Sequence, residues 1–325
     1  MLKFLSALAV AGVATCAALT GAQAQTYPDR PIKLLMPFGA GSASDTIARI
    51  VADKLGERLG QRVLVENRAG AGGNTGTAII AKADPDGYSL VFAAPGPFVI
   101  NRVMEKLPYD PENDFELISP VGTLVNVLVV NPNKVPVKNV QEFIAFVKAR
   151  PDQISYSSVG IGSSQHLAGA YFDIAAGTRM THVPYSSGNQ IAVDLISGDV
   201  PVSFQLIPNV AAQLQAKQVV PLAVTTKTRS RSLPNVPTMA EEGVQNYESY
   251  AWFGLAAPKG TPKAIIDRLN RETQAVIADP DIQRRLTEIG VEPWSTSTDE
   301  FKKFVSAEIV KWTGIIKAAG IKSSN

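Results

Sequence analysis

Apolar and polar positions follow two rhythms that take turns along this chain. The run "IKLLM" (Ile32–Met36) reads as a strand, and "DTIARIVADKLGERL" (45–59) repeats apolar residues every three or four positions, which predicts a helix. A second strand is expected over Val63–Glu66, a short helix in "TAIIAKA" (77–83) and a third apolar strand in "SLVFAAP" (89–95). The middle repeats the scheme. "NVLVVNP" (126–132), "ISYSSVG" (154–160), "MTHVPY" (180–185), "VPVSFQL" (200–206) and "VVPLAVTT" (219–226) read as strands, while 139–150, 163–177 and 189–198 read as helices. "AWFGLAAPKGTP" (251–262) returns to a strand, and three helical patterns (262–278, 280–290 and 298–320) close the chain and are expected to cover the outside of the first domain.

Alternation of this kind builds doubly wound α/β sheets flanked by helices. Two strands, near 121–126 and 250–255, read as crossings between domains. A pair of crossings makes a hinge with a cleft between lobes, a favoured place for a small ligand.

The N-terminus adds a compartment. "MLK" supplies a positive charge, an apolar Ala-rich stretch follows, and "AQA" ends at Ala24, the order of a cleavable secretory signal peptide. Cys16 offers a lipoprotein alternative that Thr15 and the unbroken apolar stretch after it disfavour. Without the leader about 300 residues remain, enough for two domains of roughly 150 each. Cys16 is the single cysteine of the sequence, so the exported fold is expected to rely on apolar burial without disulfides. A net charge of +2 with no basic run argues against a nucleic-acid partner, and two histidines without cysteine argue against a transition-metal cage; no cofactor is expected.

Chemistry concentrates in three Gly/Ser-rich turns that each lead a strand into a helix: "PFGAGSASD" (37–45), "NRAGAGGNTG" (67–76) and "SVGIGSSQH" (158–166). Such turns offer unpaired backbone N–H groups at the positive end of a helix dipole, and glycine lets an anion approach the main chain. Candidate ligand contacts are Phe38, Gly39, Ala40, Ser42 and Asp45 in the first; Ala71, Gly72 and Gly73 in the second; Ser163, Ser164 and His166 in the third. Pro95 at a strand end, Tyr185 and Ser187 in the turn "PYSSGN", and Gln205 complete the set. For Phe38 packing into its own lobe, and for Asp45 helix capping, are the competing roles. "GAGSAS" (Gly39–Ser44) also departs by one residue from the GxGxxG dinucleotide fingerprint, with Glu66 placed like a ribose-binding acid, so an NAD-dependent oxidoreductase is the alternative. No GxSxG elbow supports a hydrolase.

Six blocks, "YPDRPIKLLMPFGAGSASDTIAR", "VLVENRAGAGGNTGTAIIAKADPDGYSL", "GIGSSQHLAGAYF", "VPYSSGNQIAVDLISGDV", "LAVTTKTRSRSLPNVPTMAEEG" and "WFGLAAPKGTP", together resemble the Bug-type, TctC-like periplasmic solute-binding receptors of tripartite tricarboxylate transporters. The resemblance implies a two-lobed periplasmic binding protein (type II, Venus flytrap), with 25–124 plus 251–325 as one lobe and 125–250 as the other. It implies a monomer that closes on a small carboxylate, partly through ordered water, and delivers it to a two-subunit membrane carrier. It also implies that backbone N–H groups at Phe38–Ser42 and Ala71–Gly73 hold one carboxylate, opposite Ser163, Ser164 and His166. Two departures stand out. Ser42 replaces the second residue of a common double glycine, and Ser203, Phe204 and Gln205 stand where the family often carries an aspartate. The second argues for a less polar ligand, an aliphatic or aromatic dicarboxylate.

Overall fold

The computed structural model describes residues 27–185 and 188–321. The leader with Cys16, and Ser187, lie outside the described residues. Among the described residues ten strands are present: β1 (Ile32–Met36), β2 (Val63–Asn67), β3 (Ser89–Ala93), β4 (Phe115–Val130), β5 (Ser155–Ser158), β6 (Thr181–Pro184), β7 (Val202–Leu206), β8 (Val220–Val224), β9 (Tyr250–Pro258) and β10 (Val291–Pro293). The helices are α1 (Ala43–Leu59), α2 (Asn74–Ala81), α3 (Asn101–Met104), α4 (Val140–Lys148), α5 (Ser164–Ala176), α6 (Gly188–Ser197), α7 (Ile207–Gln215), α8 (Lys263–Ala278), α9 (Pro280–Glu288) and α10 (Thr298–Ala318). None of the described helices is long and apolar enough to cross a membrane.

The strands follow one hydrogen-bonded path, β2-β1-β3-β9-β4-β7-β5-β6, with β8 and β10 also paired to β4. In the first half β1 runs parallel to β2 and β3, so each connection must cross over through a helix. In the second half β5 is parallel to β6 and β7 for the same reason. The 16-residue β4 joins them: residues 115–125 pair with β9, and residues 126–130 pair with β7 and β8. Its continuous apolar run is buried almost throughout because helices cover the sheet on both faces. The expected first crossing and the expected strand from 126 are therefore one element. Residues 250–255, expected as the return crossing, lie within β9, and just before it the Ser249 N–H donates to the Thr225 carbonyl.

Four apolar clusters hold the two halves. Ile47, Val51 and Leu55 of α1 pack with Leu269 and Val276 of α8 on one side of the first half, and Phe98, Trp252, Phe301 and Trp312 fill the other. Phe143, Tyr156, Phe172 and Phe204 form the larger core of the second half, with Leu195, Val210 and Val224 opposite. Each such side chain, fully buried, stabilises by roughly 1.5–3 kcal/mol before entropy is counted. The C-terminal helices cover the first half, and α10 also touches the second, where Trp312 meets Tyr171 of α5 edge-on at 6.1 Å. The sequence pattern does not predict α7, β10, or the wide turn at Gly96–Ile100 that leads into α3.

Candidate functional site: a cavity between helix starts

The first glycine loop is held from below. Asp45 is buried, and its carboxylate accepts from Gly41 N–H (2.9 Å), Asn67 Nδ2 (2.9 Å) and Arg49 Nε (3.1 Å). Asn67 Nδ2 also donates to the Phe38 carbonyl (3.1 Å). Burial alone would raise the Asp45 pKa, but the hydrogen bonds from Arg49, Asn67 and Gly41 outweigh it and keep the group below its usual value. Asp45 is thus spent on shaping the loop and does not face the cavity. Ser42 caps α1, its Oγ accepting from Asp45 N–H (3.2 Å).

The second loop enters the site through Gly72. This residue has φ +61°, a left-handed conformation suited to glycine, and its carbonyl accepts from Asn101 Nδ2 (3.3 Å). Asn101 also donates to Asn74 Oδ1 (2.8 Å), which ties the loop to α3. Gly73 is buried behind the Phe38 ring.

The third loop repeats the design of the first. Ser163 caps α5, its Oγ accepting from His166 N–H (3.3 Å) and donating to the Gly160 carbonyl (2.7 Å). Val159 and Ile161 beside it are partly exposed apolar side chains.

These pieces enclose a cavity of about 500 Å³, of the size that holds a small organic ligand. Phe38, Ser42, Gly72, Pro95, Ser163 and Ser164 line it. Gly39, Ala40, Ala71 and Gly73 lie in the same loops but do not line it. Tyr185 is turned to Asp194, its hydroxyl donating at 2.6 Å, and burial together with that contact pushes its pKa up to about 12. Gln205 is buried one layer back, its Oε1 accepting from Gln165 (3.1 Å) and Asn209 (3.1 Å), both of which do line the cavity. His166 faces a separate space of about 300 Å³, with Tyr156, Asp173 and His182.

Other walls come from positions that the sequence pattern does not single out: Asn101, Leu124, Tyr250, Phe253 and Trp312. The Trp312 indole N–H donates to the buried Glu308 carboxylate (2.9 Å), which fixes the ring. Among the described residues that line the cavity, none carries a formal charge. Two helix starts compensate. Ala43 and Ser44 belong to the first turn of α1, Ser164 and Gln165 to that of α5, and amides at such positions have no intrahelical acceptor. The arrangement offers neutral main-chain donors and dipole ends to an anion with an apolar body, and its described lining residues include no paired acid and base for chemistry.

Comparison with known proteins agrees with this geometry. Residues 47–321 match the model of the tripartite tricarboxylate transporter family receptor. The chain is 34% identical to protein BugT of Bordetella pertussis over 319 residues, 97% of this chain and 98% of that one. Among solved structures, the R. palustris protein Rpa4515 with adipate superposes with a TM-score of 0.79 at 35% identity, covering 91% of this chain and 99% of that one. The periplasmic binding protein BugD gives 0.74 at 33%, with 91% and 99% covered. MatC from Rhodopseudomonas palustris with bound malate gives 0.75 at 27%, with 89% and 100% covered. The chain belongs to the receptor family of the tripartite tricarboxylate transporters.

Proposed function

We propose that this receptor captures a dicarboxylate with an apolar body, one carboxylate at the start of α1 and the other at the start of α5. The observation that carries this reading is the pair of capped helix starts, one from each half of the sheet, in one cavity whose described lining residues carry no formal charge. Formal charge on the walls would be redundant there, because first-turn amides and the helix dipole already favour an anion. The neutral polar layer formed by Gln165, Asn209 and Gln205 supports a ligand whose body carries few polar groups. The adipate and malate in the two relatives support the dicarboxylate class.

Membership of a receptor family makes the chain a binding protein rather than an enzyme and sets aside the oxidoreductase alternative. That membership supports, as part of the same proposal, a finer role: export to the periplasm with cleavage near Ala24, movement of 25–124 plus 251–325 against 125–250 about β4 and Ser249, and delivery by a monomer to a two-subunit membrane carrier. Calorimetry against succinate, adipate, terephthalate, citrate and acetate, with NAD as a control, tests the ligand class. Adipate or terephthalate is expected to bind at least tenfold more tightly than acetate or citrate. Equal affinity for acetate, or binding of NAD alone, defeats the proposal.

A further inference from the structure

Beneath the third glycine loop lie two histidines that ligand capture, as described above, leaves without a task. Their rings stack at 3.9 Å between centroids and 17° between planes. His166 Nδ1 accepts the Gly162 N–H (3.1 Å), and His182 Nε2 lies 2.6 Å from Ser158 Oγ, which in turn accepts the Gly160 N–H (3.1 Å). Both rings are therefore tied to the turn that forms one wall of the cavity, one through Gly162 directly and one through Ser158.

We infer that His166 is a positioning residue for ligand capture: stacked on His182, its neutral ring fixes the third glycine loop by accepting the Gly162 N–H, and it does so without touching the ligand. The inference rests on the carboxylate-receptor reading. An acceptor at Nδ1 requires the neutral tautomer with its proton on Nε2. Burial and the neighbouring His182 push His166 down to about 3, so the acceptor is present at neutral pH.

The loop has a specific backbone. Gly162 sits at φ +79°, a left-handed conformation suited to glycine, with Met104 of the first half packed beside it. Displacing the Gly162 amide therefore moves Ile161 and Ser163, which line the cavity on either side. His166 itself lies in the first turn of α5, so the group that sets the loop is carried by the helix whose amides reach the cavity.

Three substitutions isolate the acceptor: His166→Asn, His166→Gln and His166→Leu. All three lose the ring stack. Asn places an amide oxygen on Cγ, where Nδ1 stands; Gln places it one bond further out; Leu has none. With adipate as the probe, His166→Asn is expected to bind within about threefold of wild type, and His166→Gln and His166→Leu at least tenfold more weakly, with melting temperatures of the three variants close together. Equal loss in all three, or no loss in His166→Leu, overturns the inference. If wild type binds no dicarboxylate, the functional reading fails, and exchange of the Gly162 amide still decides the role of His166. That amide should be protected in wild type and His166→Asn and exchange at least tenfold faster in His166→Leu; an unchanged rate in His166→Leu overturns it.

Discussion

The first and third glycine loops are built to one plan and braced by opposite chemistry. Each runs from a parallel strand through Gly and Ser into a helix capped by serine, and each helix start opens on the same cavity. Under the first lies an ionised carboxylate, Asp45, drawing in Gly41, Asn67 and Arg49. Under the third lies a pair of uncharged imidazoles. The difference follows from the surroundings. Arg49 is half-exposed, so the Asp45 pair keeps contact with solvent on one side, whereas His166 is buried against His182 and Tyr156, where a charge would be costly. An anion site can thus be shaped by a buried negative charge, provided that its hydrogen bonds are consumed by the loop and turned away from the ligand.

Removing the charged brace should have the largest effect. Asp45→Ala removes the acceptor of the Gly41 N–H, one of the two acceptors of Asn67 Nδ2 and the ion-pair partner of Arg49, a loss of about 2–3 kcal/mol. The urea midpoint should fall accordingly, and adipate should bind at least tenfold more weakly because Phe38 and Ser42 lose their support. A stability equal to wild type would show that the first loop holds its shape without Asp45 and would end the contrast between the two braces.

A titration separates them further. The His166 pKa is lowered from 6.5 to about 3, so between those values the unfolded chain binds a proton that the folded chain refuses. Stability is therefore full above pH 6.5 and falls as the pH drops below it, by up to about 1.4 kcal/mol per pH unit from this ring. His182, lowered from 6.5 to about 4 by burial, adds to the same decline over a shorter pH window. Asp45 acts in another window: its pKa is lowered, so its contribution is intact above the ordinary carboxylate range and is lost only as the pH falls through its depressed value. Urea melts of wild type and His166→Asn at pH 7, 6 and 5 should show a shallower decline in the variant. Parallel declines would mean that the ring is not held neutral.

What the sequence makes legible has a physical pattern. Ile32–Met36 is read to the residue because a short apolar run entering a helical repeat has few other solutions. The three glycine turns are legible because their backbone conformations are written into residue type, as at Gly72 and Gly162. β4 is split by the reading because the crossing between halves leaves no mark on an unbroken buried run. α7 begins with Ile207 and Pro208 directly after β7, with no polar cap to announce it. Trp312 and Phe253 share their spacing with core residues, and whether such a ring faces a core or a cavity depends on packing between distant elements. Asp45 and His166 sit beside the cavity in sequence, but their hydrogen bonds to Gly41 and Gly162 turn them to the loops instead.

The smallest effect concerns the two caps, Ser42 and Ser163. Among the described residues Ser42 Oγ accepts from Asp45 N–H and lies 3.1 Å from Ser44 Oγ, whereas Ser163 Oγ both caps α5 and donates to the Gly160 carbonyl. Exchanging a capping serine for glycine costs only a few tenths of a kcal/mol in helix stability. Ser42→Gly should therefore change adipate affinity by less than about twofold, since Asp45 still holds the Gly41 amide. Ser163→Gly should cost more, about threefold or beyond, because it also removes one of the hydrogen bonds that hold the Gly160 carbonyl in the loop that His166 and His182 brace. Calorimetry on the two variants decides it. A larger loss at Ser42 than at Ser163 would mean that the Ser42 hydroxyl meets the ligand directly, and that the first loop, braced by charge, also selects by side chain.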